Sequence, residues 1–218
     1  MTIYQEEMQR KAFCYGCTTE YDESTKLMTI NHNGQQIGEI SAQGFMYYDS
    51  AKIRGDGSKE IFEKLREDTY LVREYVGLYE SSQPMKPKDV SEYRQLAEYG
   101  EIVFGATYSP KYGFMFSSWR QSQDKQNVAN GDYSPNYLYS KEAFAVRAKL
   151  IDKNKLFTQA EATELFKCAA FARDNCESLT YEQDRSLMEL MEKLQYGYPH
   201  LKDAPPSFDE DEGMQMNM

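Results

Sequence analysis

In the stretch KLMTINHNGQQIGEIS, β-favouring residues alternate with polar ones on both sides of Asn33-Gly34. That dipeptide is the signature of a two-residue type I′ hairpin, because both central residues of such a turn need positive φ. A regular two-residue turn there sets Met28 and Ile30 opposite Glu39 and Ile37. The same period runs through residues 1–50, which read as strands joined by turns, with a third strand at 44–48.

The period then changes. Over 58–79 the residues Ile61, Phe62, Leu65, Thr69, Val72, Val76 and Tyr79 recur at three and four, which predicts the longest helix of the chain, with Ser58 as its N-cap. Pro84 and Pro87 stop it, since proline lacks the amide proton and fixes φ. After a short loop through PMKPKD, EIVFGATYSPKYGFMFSSW predicts a second hairpin around Ser109-Pro110-Lys111-Tyr112-Gly113. Residues 120–135 are polar and without a period, and read as an exposed loop.

The last third is helical. Ser140 is expected to cap a short helix running through Phe144 to Leu150. Thr158-Gln-Ala-Glu161 and Thr180-Tyr-Glu-Gln183 are capping boxes, in which the hydroxyl accepts the N3 amide while the Glu or Gln side chain reaches back to the cap amide. Phe157 and Leu179 stand where hydrophobic staples are found. The final helix carries Leu187, Leu190, Met191 and Leu194 on one stripe, which must pack on something, and Gly197 and Pro199 end it. The expected architecture is α+β: antiparallel hairpins packed against a long helix, followed by a helical part. Residues 1–201 read as one domain (hairpins and long helix in 1–137, helices in 138–201). Residues 202–218, with two prolines and a run of acids, read as a disordered acidic tail.

Composition adds a sign. The 218 residues carry a net charge of −10, which repels phosphate backbones and argues against direct nucleic-acid binding, while suiting a protein partner with a basic surface. No apolar run is long enough for a membrane span, and the first residues lack the apolar stretch of a secretory signal, so a cytoplasmic protein with reduced thiols and no membrane partner is expected. The eighteen tyrosines point the same way as the charge, since tyrosine offers large, stiff contact area with a polar tip.

Motifs that carry chemistry are few. There is no GxxxxGK[ST], GxSxG or HExxH pattern, and Gly55-Asp56-Gly57 before the long helix has Glu60 where a dinucleotide loop needs its third glycine. His32 and His200 are far apart in sequence and read as surface residues. Cys14-Tyr-Gly-Cys17 has the spacing of a redox dithiol or half a zinc site, and is the one metal or thiol candidate. Its flanks, KAF and TTEY, read as strand rather than the helix N-terminus that lowers a thiolate pKa. Glu60, Glu63, Glu67 and Glu74 alternate with Lys64, Arg66 and Arg73 as a solvated helix face does. No cofactor and no catalytic residue is expected.

YSKEAFAVRAKLIDKNKLFTQAEATELFKCAAF and LTYEQDRSLMELMEKLQYGYPHL, together with GEISAQGFMYY and YGFMFSSW, resemble an α+β module of uncharacterised proteins encoded on integrative conjugative elements and plasmids of gut Firmicutes, of the kind associated with large polyvalent proteins. The likeness covers about 37–201. It implies a mobile-element setting, in which accessory proteins serve transfer, regulation and counter-defence, and it supplies no active site. Together with charge and tyrosine content it sets the expectation of a non-enzymatic acidic binding protein that occupies the nucleic-acid-binding surface of a host defence nuclease, of the anti-CRISPR or anti-restriction type. The expected contact residues are Tyr47, Tyr48, Tyr108, Tyr112, Tyr133, Tyr137, Glu63, Glu67 and Glu74. Two alternatives stand beside it: a thiol, zinc or cryptic-site enzyme using Cys14 and Cys17, and a regulatory module of a conjugative element.

Overall fold

The computed structural model describes all residues except 50, 52, 154, 155, 177 and 203–218, so the acidic tail lies outside the described residues from 203 onward. The chain divides into two compact units, Met1–Ile151 and Asp152–Met218. Among the described residues there are five α-helices and two four-stranded antiparallel meanders, an α+β architecture.

In the first unit, helix α1 (Ile3–Cys14) leads into the sheet β1 (Thr18–Asp22), β2 (Leu27–His32), β3 (Gln35–Ile40) and β4 (Met46–Tyr47). The long helix α2 (Asp56–Ser81) follows, then the sheet β5 (Arg94–Tyr99), β6 (Ile102–Ser109), β7 (Gly113–Gln121) and β8 (Val128–Ser134), and helix α3 (Tyr137–Arg147). Side chains from α1, α2, α3, β2, β3, β6 and β7 join in one buried cluster that includes Met8, Ile30, Leu65, Val72, Phe104 and Phe116. The second sheet is buried on its other face too, where Val103 and Trp119 meet Met85, Val90 and Tyr93 of the segment after α2.

Several sequence expectations are corrected. Residues 3–14 form a helix, not a strand: Thr2 Oγ1 accepts the Gln5 amide proton at 3.4 Å and Gln5 Oε1 accepts that of Thr2 at 3.1 Å, a capping box. The apolar stripe of α1 is hard to see because Gln5 and Glu7 share its buried face with Met8 and Ala12. Gln5 is satisfied there by donating to the carbonyls of Lys26 and Ile40 at 2.8 and 3.2 Å.

The Asn33-Gly34 turn has the positive φ values required, 52° and 74°. The register beyond it differs: Ile30 pairs with Gly38 and Met28 with Ile40, across a bulge next to Asn31. In a regular strand Ile37 and Ile40 would point to opposite faces; the bulge lets both enter the core, and burial of two isoleucines overrides the simple register.

Helix α2 starts at Asp56 after Gly55, whose φ of 82° suits glycine, and Ser58 lies inside its first turn rather than capping it. The Ser58 hydroxyl instead meets half-buried His32 Nδ1 at 2.9 Å. Strand β5 and edge strand β8 occupy segments with no legible alternation, and part of the expected loop 120–135 is therefore sheet. Helix α3 is capped by Asn136, whose side chain accepts the Tyr139 amide proton at 3.1 Å, while Ser140 is buried one turn further in.

The second unit contains α4 (Gln159–Asn175) and α5 (Tyr181–Gly197), each opened by its expected capping box. Of the α5 stripe, Leu194 packs with Ala162, Phe166 and Leu201, and Met191 sits at the edge of that cluster. Leu190 is exposed, as is Phe157 at the position of a staple.

Candidate functional site

Helix α2 carries the site on two sides. At 3.6 residues per turn, Glu63, Glu67, Tyr70 and Glu74 fall within an arc of about 60°, and the rise from first to last is about 16 Å. All four are exposed, Tyr70 at 66 %. Glu63 is paired with Arg66 at 2.6 Å. Glu74 accepts from Tyr137 Oη at 2.7 Å and from Lys141 Nζ at 2.5 Å, which joins the stripe to α3. Burial alone would raise the Glu74 carboxyl, but the hydrogen bonds of Lys141 and Tyr137 outweigh it and hold the group below its ordinary value.

The inner side of the same helix presents Asp68 and Tyr75 to α1. Asp68 and Glu7 are only 6 % and 7 % exposed, which a carboxylate tolerates when it is paired and hydrogen-bonded. Glu7 takes the Tyr75 hydroxyl proton at 2.9 Å and the Arg10 Nε proton at 3.1 Å. Asp68 takes that of Tyr15 at 2.8 Å and the Lys11 ammonium at 2.9 Å. Burial pushes the Glu7 carboxyl up, against the opposing pull of Tyr75, Arg10 and Lys11. Burial and the neighbouring acids raise the Tyr75 and Tyr15 phenols well above their usual values, so both remain proton donors.

Between these groups lies a cleft of about 380 Å³, lined by Glu7, Lys11, Asp68 and Leu71 on the helix side and by Pro135, Asn136 and Leu138 at the start of α3. Its aromatic wall is Tyr75, Phe116 and Tyr137, with ring centroids 5.1–5.3 Å apart. Such a set, two buried carboxylates each paired with a base and backed by three rings, is a charge-balanced network rather than a nucleophile with its base.

Of the tyrosines singled out from sequence, Tyr137 is corrected: it is 6 % exposed and lends only its hydroxyl to the surface, through Glu74. Tyr108, half-buried, donates to Glu6 of α1. Tyr112 is exposed at the tip of the β6–β7 hairpin. Exposed Tyr133 accepts the Trp119 indole proton at 3.0 Å, on the opposite face of the second sheet from Tyr137. Tyr47 is exposed on β4, and exposed Tyr48 lays its ring 4.4 Å from that of Phe62. The structure thus gathers Glu63, Glu67, Glu74 and Tyr137, sets Tyr48 against Phe62 and Arg66 of the same helix, and places the remaining tyrosines elsewhere.

Cys14 ends α1 and Cys17 precedes β1, so the pair sits at a helix C-terminus, where the macrodipole disfavours a thiolate. Cys17 is buried, and burial raises its thiol; all four cysteines are free. Among the described residues no group of three His, Cys, Asp or Glu side chains is placed to hold a metal ion.

Sequence reasoning missed Tyr70, Glu7, Lys11, Asp68 and Tyr75. Tyr70 was legible from its spacing to Glu63, Glu67 and Glu74. The Thr2-x-x-Gln5 box was the signal for α1, and Asp68 and Tyr75 sit at helical spacing from Val72. Comparison with family models, curated proteins and solved structures gives no match to this chain. Among the described residues no helix is long and apolar enough to cross a membrane.

Proposed function

We propose that this chain is a non-enzymatic acidic binding protein that presents the outward stripe of α2 to a protein partner with a basic surface. The observation that supports it most is the alignment of Glu63, Glu67, Tyr70 and Glu74 on one exposed face of the longest helix. Complementary charge steers a cationic partner onto such a face, and a tyrosine supplies contact area as the acids lose water. The charge points to a surface that otherwise holds nucleic acid, with carboxylates standing in for phosphates. The mobile-element likeness suggests a host defence nuclease in the cytoplasm as the owner of that surface. The thiol or zinc alternative loses ground because Cys17 is buried and its thiol is raised.

The test is cleavage of plasmid DNA by restriction and CRISPR effectors in the presence of increasing protein. The expected result is stoichiometric slowing of one effector, relieved in Glu63→Lys/Glu67→Lys. Full-speed cleavage by every effector at saturating protein would remove the nuclease from the proposal.

A further inference from the structure

We propose that the outer side of α4 binds a basic amphipathic helix of another protein, which lays its apolar ridge into the groove formed there. This surface lies in the second unit and stands independently of the α2 stripe.

The groove is built from two neighbouring rows of α4, one of them begun by the residue before its cap. Phe157, Glu161 and Leu165 form one row and Ala160, Glu164 and Cys168 the next, each at a spacing of four. Such rows are the ridges of a helix surface, and the channel between two of them is the shape into which a ridge of a second helix packs. All six residues are exposed, whereas Ala162, Phe166, Ala169 and Ala170 of the same helix are buried. At about 100° per residue the exposed set is turned by roughly 150° from Ala162 and Phe166. Helix α5 packs on that buried side through Leu194, and so does not fill the groove.

The channel, of about 480 Å³, is apolar at both ends, with Phe157 and Ala160 at one and Leu165 and Cys168 at the other. Phe157 occupies the staple position yet is 46 % exposed, which leaves its ring open to a partner. Apolar positions gathered in one groove, rather than scattered singly, mark a docking surface, and a groove between helix ridges is the kind that takes an amphipathic helix.

Charge selects the occupant. Both charged residues of the groove are acids, and they stand at the middle of the two rows. Glu161 is held by the neutral amide of Thr158 at 2.7 Å, and among the described residues it has no ion pair. Glu164 meets Lys167 at 3.5 Å, a loose surface pair. Residues 152–218 together hold 14 acids and 7 bases. A second copy brings acids against acids and is repelled. A helix with apolar residues at both ends of its ridge, and Lys or Arg between them, matches the groove in shape and in sign.

The test uses the full chain carrying Cys14→Ser and Cys176→Ser, which leaves Cys168 as the exposed thiol beside buried Cys17. Alkylation of Cys168 by iodoacetamide is followed by mass spectrometry as a leucine-lysine peptide of amphipathic helical spacing and of α4's length, 17 residues, is added. The controls are the same composition in scrambled order and the leucine-glutamate counterpart. The lysine helix is expected to slow alkylation saturably, and neither control to do so. Leu165→Gln, which places a polar group on the channel wall, should weaken that protection about tenfold or more. Glu161→Gln/Glu164→Gln keeps the capping box, which accepts Gln, and should weaken it by a smaller factor that vanishes in high salt. Glu63→Lys/Glu67→Lys should leave it unchanged, and loss of protection there would place the peptide on α2 and overturn the proposal. No protection up to about 1 mM peptide, equal protection by the scrambled peptide, or wild-type protection in Leu165→Gln overturns it too. So does a Cys168 already inert in the free chain, since the groove is then covered, and so does a dimer that Leu165→Gln dissolves, since the occupant is then a second copy.

Discussion

The two units of this chain solve the problem of a core in different ways. In Met1–Ile151 two sheets and three helices bury a continuous cluster of aliphatic and aromatic side chains, and the second sheet is covered on its other face as well. In the unit from Asp152 onward, the described part of the core is Ala162, Phe166, Leu194 and Leu201, while Phe157, Leu165, Phe171, Met188 and Leu190 stay exposed. Charge follows the same division. Residues 152–218 hold 14 acids and 7 bases, against 21 and 18 in residues 1–151. A rich core lets the first unit bury Glu7 and Asp68 and keep them paired. A sparse core leaves the second dependent on its caps and on whatever covers its apolar positions.

The sharpest way to break the comparison is to hollow each core. Phe116→Ala removes a ring in contact with Tyr75, Phe104, Phe114 and Tyr137 and should cost the first unit about 3–5 kcal/mol, read as a lowered denaturation midpoint. A loss below about 1 kcal/mol would mean that the aromatic cluster is not what holds the two sheets and helices together. Leu194→Ala should cost the second unit about 2–5 kcal/mol, enough to erase a small core. Its readout is loss of amide-exchange protection in α4 and α5, and unchanged protection there would contradict the sparse-core reading.

The buried acid gives a pH signature. Because Glu7 titrates above its ordinary range when folded, the native state holds a proton that the unfolded chain has already released in the window just above the unfolded value. Stability from this group therefore falls as pH rises through that window, by at most about 1.4 kcal/mol per pH unit, and is level above it. Glu7→Gln should remove that slope in urea titrations repeated from pH 4 to 7. Parallel curves for wild type and variant would show that Glu7 is not strained by burial. The smallest effect is expected at the caps: Thr158→Ala and Thr180→Ala should each cost about 1 kcal/mol, visible as reduced helicity on heating.

Legibility in the sequence tracked the source of each element's stability. The Asn33-Gly34 turn, the β6–β7 hairpin, α2 and both capping boxes of the second unit are built on local chemistry, and could be read. Helix α1 hid because its buried face carries Gln5 and Glu7, whose partners lie far along the chain at Ile40 and Tyr75. Strands β5 and β8 hid because pairing to β6 and β7, not their own side chains, makes them strands. The stripe on α2 was half legible: Glu63, Glu67 and Glu74 were marked, Tyr70 was not. The cleft was illegible because it forms only when α1, α2 and α3 meet.

The central claim is that the α2 stripe, rather than acidity in general, selects the partner. It is tested by capture from host lysate with three baits: wild type, Glu63→Lys/Glu67→Lys, and the control Glu20→Lys/Glu189→Lys with the same change in net charge at exposed sites outside α2. The account predicts that wild type and control retain the same basic protein and the stripe variant loses it. Retention by all three, or loss in both variants alike, would contradict it.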